Sequence, residues 1–257
     1  MKIRVSFLLP ALLLFAAISL HATSLATPCI AHTLSFYEGI NSDSACSVGI
    51  LNFDSFTFAP PTSTGGAVPL TDLQIELTPC NGVDSDLPGA CSHDPTSLSG
   101  GFSISAVDPL HPFSVGPGQT ETYTIDWRFV IDTGPIDEGA SLGLDPVFGG
   151  VNVTQTYCVD SSLSPTPCTN ALGTVTPQTI SVDTTNPFNS VTFGTPALRF
   201  AEVQTVITLT GGSTTGAGFD AVTGTGTIVD TPEPAAFLLV ANGLLLVGAL
   251  RKRAARV

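Results

Sequence analysis

The chain has 257 residues, of which 43% are hydrophobic and only 11% are charged, and its formal net charge at pH 7 is −13. Between two apolar terminal segments, residues 27–230 hold 20 acidic residues and two basic ones, a formal charge of −18. This acidic surface repels phosphate groups, which excludes nucleic acids and anionic lipid headgroups as partners. The region is long enough to bury a hydrophobic core, as one large domain or two small ones.

The N-terminal segment has the features of a secretory signal peptide. Lys2 and Arg4 precede a nearly unbroken apolar run, and small residues follow this run at the spacing of a cleavage site. This order predicts removal of residues 1–26, with cleavage after Ala26 favoured over cleavage after Ala22. A retained membrane helix is the alternative, but the apolar run is short for a span. We therefore expect the following region to be exported.

Six cysteines lie in the exported region, and an even number behind a signal peptide predicts three disulfides. We expect local pairing, because each pair then brackets a turn-rich loop. The expected pairs are Cys29 with Cys46, Cys80 with Cys91, and Cys158 with Cys168. A zinc site is the alternative, but the sequence has no Cys-x-x-Cys pair and few histidines.

Alternation of apolar and polar residues recurs throughout the exported region and predicts β-strands. The longest run would place five apolar side chains on one face, namely Tyr123, Ile125, Trp127, Phe129 and Ile131. Short strands separated by turn residues favour an all-β fold, an antiparallel β-sandwich of immunoglobulin-like or jelly-roll-like type. Trp127 is predicted to anchor the core, and a carbohydrate-stacking platform is the alternative role for this side chain.

The number of sandwich modules is left open by the sequence. The segment between Cys80 and Cys91 resembles the segment between Cys158 and Cys168, and each follows a strand-like run. This similarity indicates either an internal duplication, with modules at 27–133 and 134–230, or a chance match between turn-rich loops. One larger sandwich is slightly favoured. Residues 210–227 are rich in Gly and Thr and are predicted to form a last weak strand or two, or a flexible stalk.

Acidic side chains are concentrated in two predicted loops, and carboxylate oxygens are the ligands that calcium prefers. The two groups are Asp84, Asp86 and Asp94, and then Asp132, Asp137 and Glu138. Neither group has the spacing of an EF-hand or a repeat-type calcium site. We therefore favour a soluble acidic surface without a cofactor. Calcium bound at Asp84, Asp86 and Asp94 is the alternative.

The sequence lacks the usual residue patterns of enzymes. His32, His93 and His111 have no metal-ligand spacing, and no nucleophile elbow or phosphate-binding loop is present. Two carboxylates on one predicted strand, Glu121 and Asp126, are the candidates for glycoside hydrolysis. Solvated polar residues are the favoured interpretation of both. We expect no enzyme activity, and a glycoside hydrolase is a remote alternative.

The last 27 residues have a distinct organisation. The tripeptide Pro232, Glu233 and Pro234 precedes an apolar run over residues 235–250. Basic residues follow this run, namely Arg251, Lys252, Arg253 and Arg256. The run is slightly short but is predicted to form a single transmembrane helix, and the basic cluster after it would stay on the cytoplasmic side.

This arrangement resembles the PEP-CTERM sorting signal of Gram-negative bacteria. Pro232, Glu233 and Pro234 match its motif, residues 235–250 match its hydrophobic span, and the basic end matches its arginine-rich terminus. The resemblance implies anchoring in the inner membrane, then processing near the motif by an exosortase, a membrane transpeptidase. It also implies a final location at the cell surface or outside the cell, in association with exopolysaccharide or biofilm. It concerns residues 231–257 alone.

Together these patterns predict a non-catalytic surface or extracellular-matrix protein that is exported and sorted by its tail. The alternative is a binding or adhesion module that recognises carbohydrate, such as extracellular polysaccharide, or that depends on calcium. A row of exposed aromatic side chains on one face, or calcium-dependent melting, would distinguish the binding module from the matrix protein.

Overall fold

The computed structural model describes residues 27–49, 51–83, 91–92, 99–110, 112–131, 136–159, 169–170, 173–174, 177–193 and 200–230. These residues form an all-β structure with one short helix, α1 (Leu34–Tyr37). The predicted fold class, an antiparallel β-sandwich, is confirmed. Among the described residues no helix is long and apolar enough to cross a bilayer. The predicted signal peptide and the predicted transmembrane helix at 235–250 lie outside the described residues.

Two seven-stranded sheets, which we call sheet A and sheet B, make up the sandwich. Sheet A contains, in spatial order, β1 (Thr27–Pro28), β3 (Cys46–Val48), β4 (Leu51–Thr64), β10 (Thr120–Ile131), β17 (Phe200–Thr210), β12 (Gly150–Val159) and β15 (Gln178–Asp183). Sheet B contains β16 (Phe188–Thr192), β11 (Ile136–Phe148), β18 (Ala217–Asp230), β8 (Ser99–Ala106), β5 (Ile75–Cys80) and β2 (His32–Thr33), and β9 (Phe113–Val115) also pairs with β18.

Two short hairpins accompany the sheets, β6 (Gly82–Val83) with β7 (Cys91–Ser92), and β13 (Thr169–Asn170) with β14 (Gly173–Thr174). Every described strand pair is antiparallel except β1 with β3.

Successive strands of the central part alternate between the two sheets, except that β12 and β15 are neighbours in sheet A. Sheet B has the order β8-β18-β11-β16, and sheet A has the order β10-β17-β12-β15. This is the strand order of an eight-stranded jelly roll, in which each sheet takes strands from the whole length of the chain. The arrangement of two tandem modules at 27–133 and 134–230 is not found, because strands from both halves pair in both sheets. Long-range pairing therefore joins the two halves into one sandwich.

The core lies between the sheets, and alternation along β10 supplies much of it. Tyr123 and Ile125 are fully buried, and Trp127 is 4% exposed within the same cluster of apolar side chains. The predicted core role of Trp127 is confirmed. Phe53 and Phe102 pack edge to face across the two sheets, with ring centroids 4.9 Å apart. Apolar burial between the sheets is the main force that holds the sandwich together.

Of the two expectations for residues 210–227, a last strand is found and a flexible stalk is not. The segment contains most of β18, which lies in the middle of sheet B between β11 and β8. Its small residues suit a crowded position, because a Cβ at Gly224 would lie 2.2 Å from the Gln155 side chain of the opposite sheet. The Gly and Thr content therefore reflects close packing on both faces rather than flexibility.

The two ends of the sandwich differ. β18 ends at Asp230, from which the chain continues toward the predicted sorting tail, and we call this the tail-proximal end. The register places the described disulfide-bonded cysteines near this end, namely Cys29, Cys46, Cys80 and Cys158. The opposite, tail-distal end is formed by tight connections, including the one in which Gly118 donates to the Gly212 carbonyl oxygen over 2.8 Å.

Candidate functional site on the outer face of sheet A

The outer face of sheet A presents polar side chains because residues alternate between the two faces of each strand. On β10 the odd-numbered side chains point into the core, and the even-numbered ones point outward and remain partly exposed. β17 and β12 alternate in the same way. The face therefore carries a polar surface that crosses several strands.

Arg128 is the centre of a charged group on this face. The register sets it between Asp54 on β4 and Glu202 on β17. Its Nε and Nη2 donate to the two carboxylate oxygens of Asp54, each over 2.7 Å. The hydrogen bond to Asp54 raises the pKa of Arg128, and the nearby charges of Asp54 and Glu202 act in the same direction. This two-pronged pair neutralises Asp54, whose side chain is almost completely buried.

Asp126 lies one position along the same face, between Thr57 and Gln204 in the register. Burial raises the pKa of this carboxyl group, although hydrogen bonds from the Gln204 and Thr57 side chains oppose the shift. Its Oδ1 is buried and has no hydrogen-bond partner within the described ranges. Asp126 therefore retains an acceptor that its neighbours do not satisfy.

Hydroxyl groups and amides continue the polar face across β17, β12 and β15. One cross-strand row runs from Thr124 through Val206 and Thr154 to Ser181. The hydroxyl groups of Thr154 and Ser181 are 3.1 Å apart and share a hydrogen bond. Such a surface has donors and acceptors in regular rows, which suits an uncharged, hydroxyl-rich partner.

The carboxylate pair considered for glycoside hydrolysis is not assembled. Glu121 is 1% exposed and faces the core, whereas Asp126 points to the outer face of the same strand. Five residues also separate them along β10, about 17 Å. Two catalytic carboxylates need a shared cleft and a separation of about 5–10 Å. The geometry therefore gives these two residues no joint chemistry.

Buried polar groups inside the sandwich were not predicted from the sequence. The Tyr157 hydroxyl donates to Gln155 Oε1 over 2.6 Å, and Gln155 Nε2 donates to Thr205 Oγ1 over 2.9 Å. Nearer the tail-distal end, the Tyr123 hydroxyl donates to Glu121 Oε2 over 2.6 Å, and burial raises the pKa of Glu121. The residues of both groups occupy odd-numbered positions of β10, β12 and β17, which face the core. Their alternation with the apolar core residues is the sequence pattern that could have indicated their burial.

The cysteine predictions are partly confirmed. Cys29 and Cys46 form a disulfide with a Cα–Cα distance of 4.9 Å. Cys80 and Cys158 are also disulfide-bonded, and the described residues contain no free cysteine. Cys168 lies outside the described residues, as do the side chain of Cys91 and the two remaining pairings. Those pairings stay predictions.

The predicted calcium ligands Asp84, Asp86 and Asp94 also lie outside the described residues. The part of the chain that the structure describes holds no group of three His, Cys, Asp or Glu side chains suited to a metal ion. An open cleft of about 420 Å³ lies near the Cys29–Cys46 disulfide, between Val48 on sheet A and Pro79 on sheet B. Its lining has no charged side chain, so it offers no acid, base or metal ligand.

The comparisons with known proteins add little. No protein family matches the chain, and no curated protein matches it in sequence. Among solved structures, the carbohydrate-binding module TmCBM61 in complex with β-1,4-galactotriose matches with 8% identity and a TM-score of 0.29, over 65% of this chain and 88% of that one.

The enzymatically active domain of tailspike protein 4 from bacteriophage CBA120 matches with 14% identity and a TM-score of 0.28. This match covers 68% of the present chain but only 19% of the tailspike chain. Likenesses this distant carry no argument about function.

Proposed function

We propose that the protein is a non-catalytic surface or extracellular-matrix protein, exported by its signal peptide and sorted by its PEP-CTERM-like tail. The observation that carries this proposal is the Cys29–Cys46 disulfide within an all-β fold, in the region that the predicted signal peptide would export.

Disulfides form and persist mainly in oxidising compartments, such as the periplasm or the cell exterior, so the Cys29–Cys46 bond supports export. In this proposal the tail holds the protein in the inner membrane until an exosortase-like transpeptidase acts near Pro232. The jelly roll is then released to the cell surface or the extracellular matrix.

Intact mass and terminal peptide mapping of protein from the envelope and medium of its native host test this proposal. We expect an N-terminus at Thr27, loss of the residues that follow the Pro232 region, and a shift of about 2 Da per reduced disulfide. A full-length tail retained in the membrane fraction would show a permanently anchored protein and would refute the sorting step.

The outer face of sheet A supports a second candidate function, carbohydrate binding by the same exported protein. The specific observation is the row of hydroxyl groups that crosses this face at Thr124, Thr154 and Ser181. This candidate is tested by affinity electrophoresis in gels that contain neutral polysaccharides. Thr154→Ala should weaken the retardation, whereas Thr179→Ala at the edge of the same face should retain most of it.

A further inference from the structure

Exposed apolar side chains are concentrated toward the tail-distal end of the sandwich. Six of the eight large exposed ones in the described part of the chain belong to the connections and strand ends there, namely Phe36, Val68, Leu73, Val107, Leu110 and Phe148. Leu73 is 65% exposed, directly before β5, and Val107 is 45% exposed, directly after β8. Single exposed apolar residues need no explanation, but a group of them marks an interaction surface.

Backbone hydrogen bonds hold three of these residues in adjacent segments. The Ser35 N–H donates to the Asp72 carbonyl oxygen over 3.3 Å, and the Val107 N–H donates to the Gln74 carbonyl oxygen over 2.9 Å. The segments that carry Phe36, Leu73 and Val107 therefore lie side by side at the edge of sheet B. We call these three residues the distal patch.

The distal patch is preorganised rather than loose. The Phe36 ring stacks on the His32 ring with centroids 4.1 Å apart and an angle of 20° between the planes. Phe36 also belongs to α1, which is fixed by the buried side chains of Leu34 and Tyr37. An aromatic side chain held in place at the surface loses little conformational entropy when a partner covers it.

Two acidic side chains border the distal patch. Glu38 and Asp72 lie close to each other, and the Phe58 N–H donates to Glu38 Oε1 over 3.0 Å. Burial raises the pKa of Glu38, and the charge of Asp72 raises it further. Arg128 is the only Lys or Arg in the described ranges, and it pairs with Asp54 on the outer face of sheet A. Within the described ranges, therefore, no lysine or arginine balances the charge beside the patch.

We propose that the distal patch is a docking surface for a protein segment that alternates apolar side chains with lysine or arginine. The apolar side chains would cover Phe36, Leu73 and Val107, and a cationic group would bind between Glu38 and Asp72. Anionic membranes and nucleic acids carry the wrong charge for this border. A second copy of the chain fits poorly as well, because residues 27–230 contain only two basic residues, both arginines, against 20 acidic ones and would bring more negative charge.

The distal patch would give the exported protein of the proposed function a site for a partner, and this inference rests on the proposed function in one respect. If the tail holds the tail-proximal end at the membrane, the distal patch faces away from the membrane and toward partners. The docking test below does not depend on processing of the tail, and the terminal mapping above does not depend on the patch. Failure of one is therefore distinguishable from failure of the other.

The test uses the full chain in nanodiscs of phosphatidylcholine, with empty nanodiscs as the reference. The probe is a fluorescent hexapeptide that alternates leucine with lysine. The control peptide alternates leucine with glutamate. We expect saturable binding of the lysine peptide by fluorescence anisotropy and none of the glutamate peptide. Leu73→Ser and Asp72→Asn should each weaken the binding by roughly three- to tenfold.

Two matched variants control for general attraction to an acidic protein. Asp43→Asn removes an exposed carboxylate in the turn before β3, and Phe188→Ser removes an exposed ring at the other edge of sheet B. Both should bind the lysine peptide as the wild type does. Equal weakening by Asp43→Asn and Asp72→Asn, or no binding at all, would overturn the proposal. So would self-association of the full chain that Leu73→Ser abolishes, because the occupant would then be a second copy.

Discussion

At the scale of single residues, the core is notable for the polar groups that it encloses. Glu121 is 1% exposed, receives a hydrogen bond from Tyr123, and has a second oxygen without a partner among the described residues. Burial raises its pKa above the ordinary value of 4.5. The native state then binds this proton more tightly than the unfolded chain, so the free energy of unfolding falls as the pH rises above about 4.5.

Glu121→Gln should remove this part of the pH dependence. We expect the variant and the wild type to have similar stability near pH 4, and the variant to be more stable at pH 7 by on the order of 1 kcal/mol. Urea denaturation across this pH range measures the difference, with Glu76→Gln on β5 as the partly exposed control. A constant difference between Glu121→Gln and the wild type at every pH would show that the buried carboxyl group does not titrate in this range.

A second prediction at this scale concerns the close approach of Gly224 to Gln155. A Cβ at Gly224 would lie 2.2 Å from Gln155 Nε2, whose hydrogen bond to Thr205 could then not be kept. Gly224→Ala should lower the free energy of unfolding by about 2–4 kcal/mol through overpacking and a lost buried hydrogen bond.

The matched control for this substitution is Gly226→Ala, two residues along the same strand. A Cβ there would meet its nearest atom, Phe129 Cζ, at 3.4 Å, an ordinary contact. Thermal unfolding of the two variants should therefore differ clearly. Similar losses would mean that the cost comes from replacing any glycine of β18 rather than from the clash with Gln155.

At the scale of elements, β4 shows how an irregularity sets the face that each side chain occupies. Leu51 and Phe53 face the core, but so does Phe56, because the register with β10 shifts at this point and Ser55 has a φ of 57°. This is a β-bulge, with one extra residue on β4. The bulge also places Asp54 on the outer face, where it meets Arg128.

Ser55→Gly should stabilise the protein, because the left-handed conformation is less favourable by about 1 kcal/mol for a residue other than glycine. Ser55→Val should lower the stability instead, since a β-branched side chain tolerates this conformation least. Ser47→Gly on the neighbouring strand is the control and should be destabilising. An unchanged or reduced melting temperature in Ser55→Gly would argue against the strained conformation at the bulge.

The neighbouring strand β10 shows what could be predicted from the sequence. On β10 strict alternation identified Tyr123, Ile125, Trp127 and Phe129 as core residues, because one face is buried along the whole strand. Gln155 and Thr205 occupy core positions in the alternation of β12 and β17, but the sequence gives no sign that a glycine in the opposite sheet makes room for Gln155. For the same reason β18 reads as a weak strand in the sequence although it lies in the centre of sheet B.

The candidate site was equally hard to predict. Asp126 and Arg128 gain their roles from Asp54, Gln204 and Glu202, which come from strands far away in the sequence. Pairing between strands with such separations is decided by the jelly-roll topology, and local patterns do not encode it.

At the scale of the whole molecule, the two ends of the sandwich are stabilised by different means. Covalent bonds hold the tail-proximal end, where the Cys29–Cys46 disulfide closes a separation of 17 residues. The tail-distal end depends on backbone hydrogen bonds between tight turns, such as Gly211 N–H to the Gln119 carbonyl oxygen over 2.9 Å. Removal of a disulfide should therefore destabilise the tail-proximal end first.

Replacing both Cys29 and Cys46 by alanine should cost about 3 kcal/mol, since a loop of this length constrains the unfolded chain by that amount. Hydrogen exchange should then accelerate mainly in β3 and in the first half of β4, whereas the turn at residues 116–119 should keep its protection. Uniform acceleration through both sheets would instead show that the sandwich opens as a single cooperative unit.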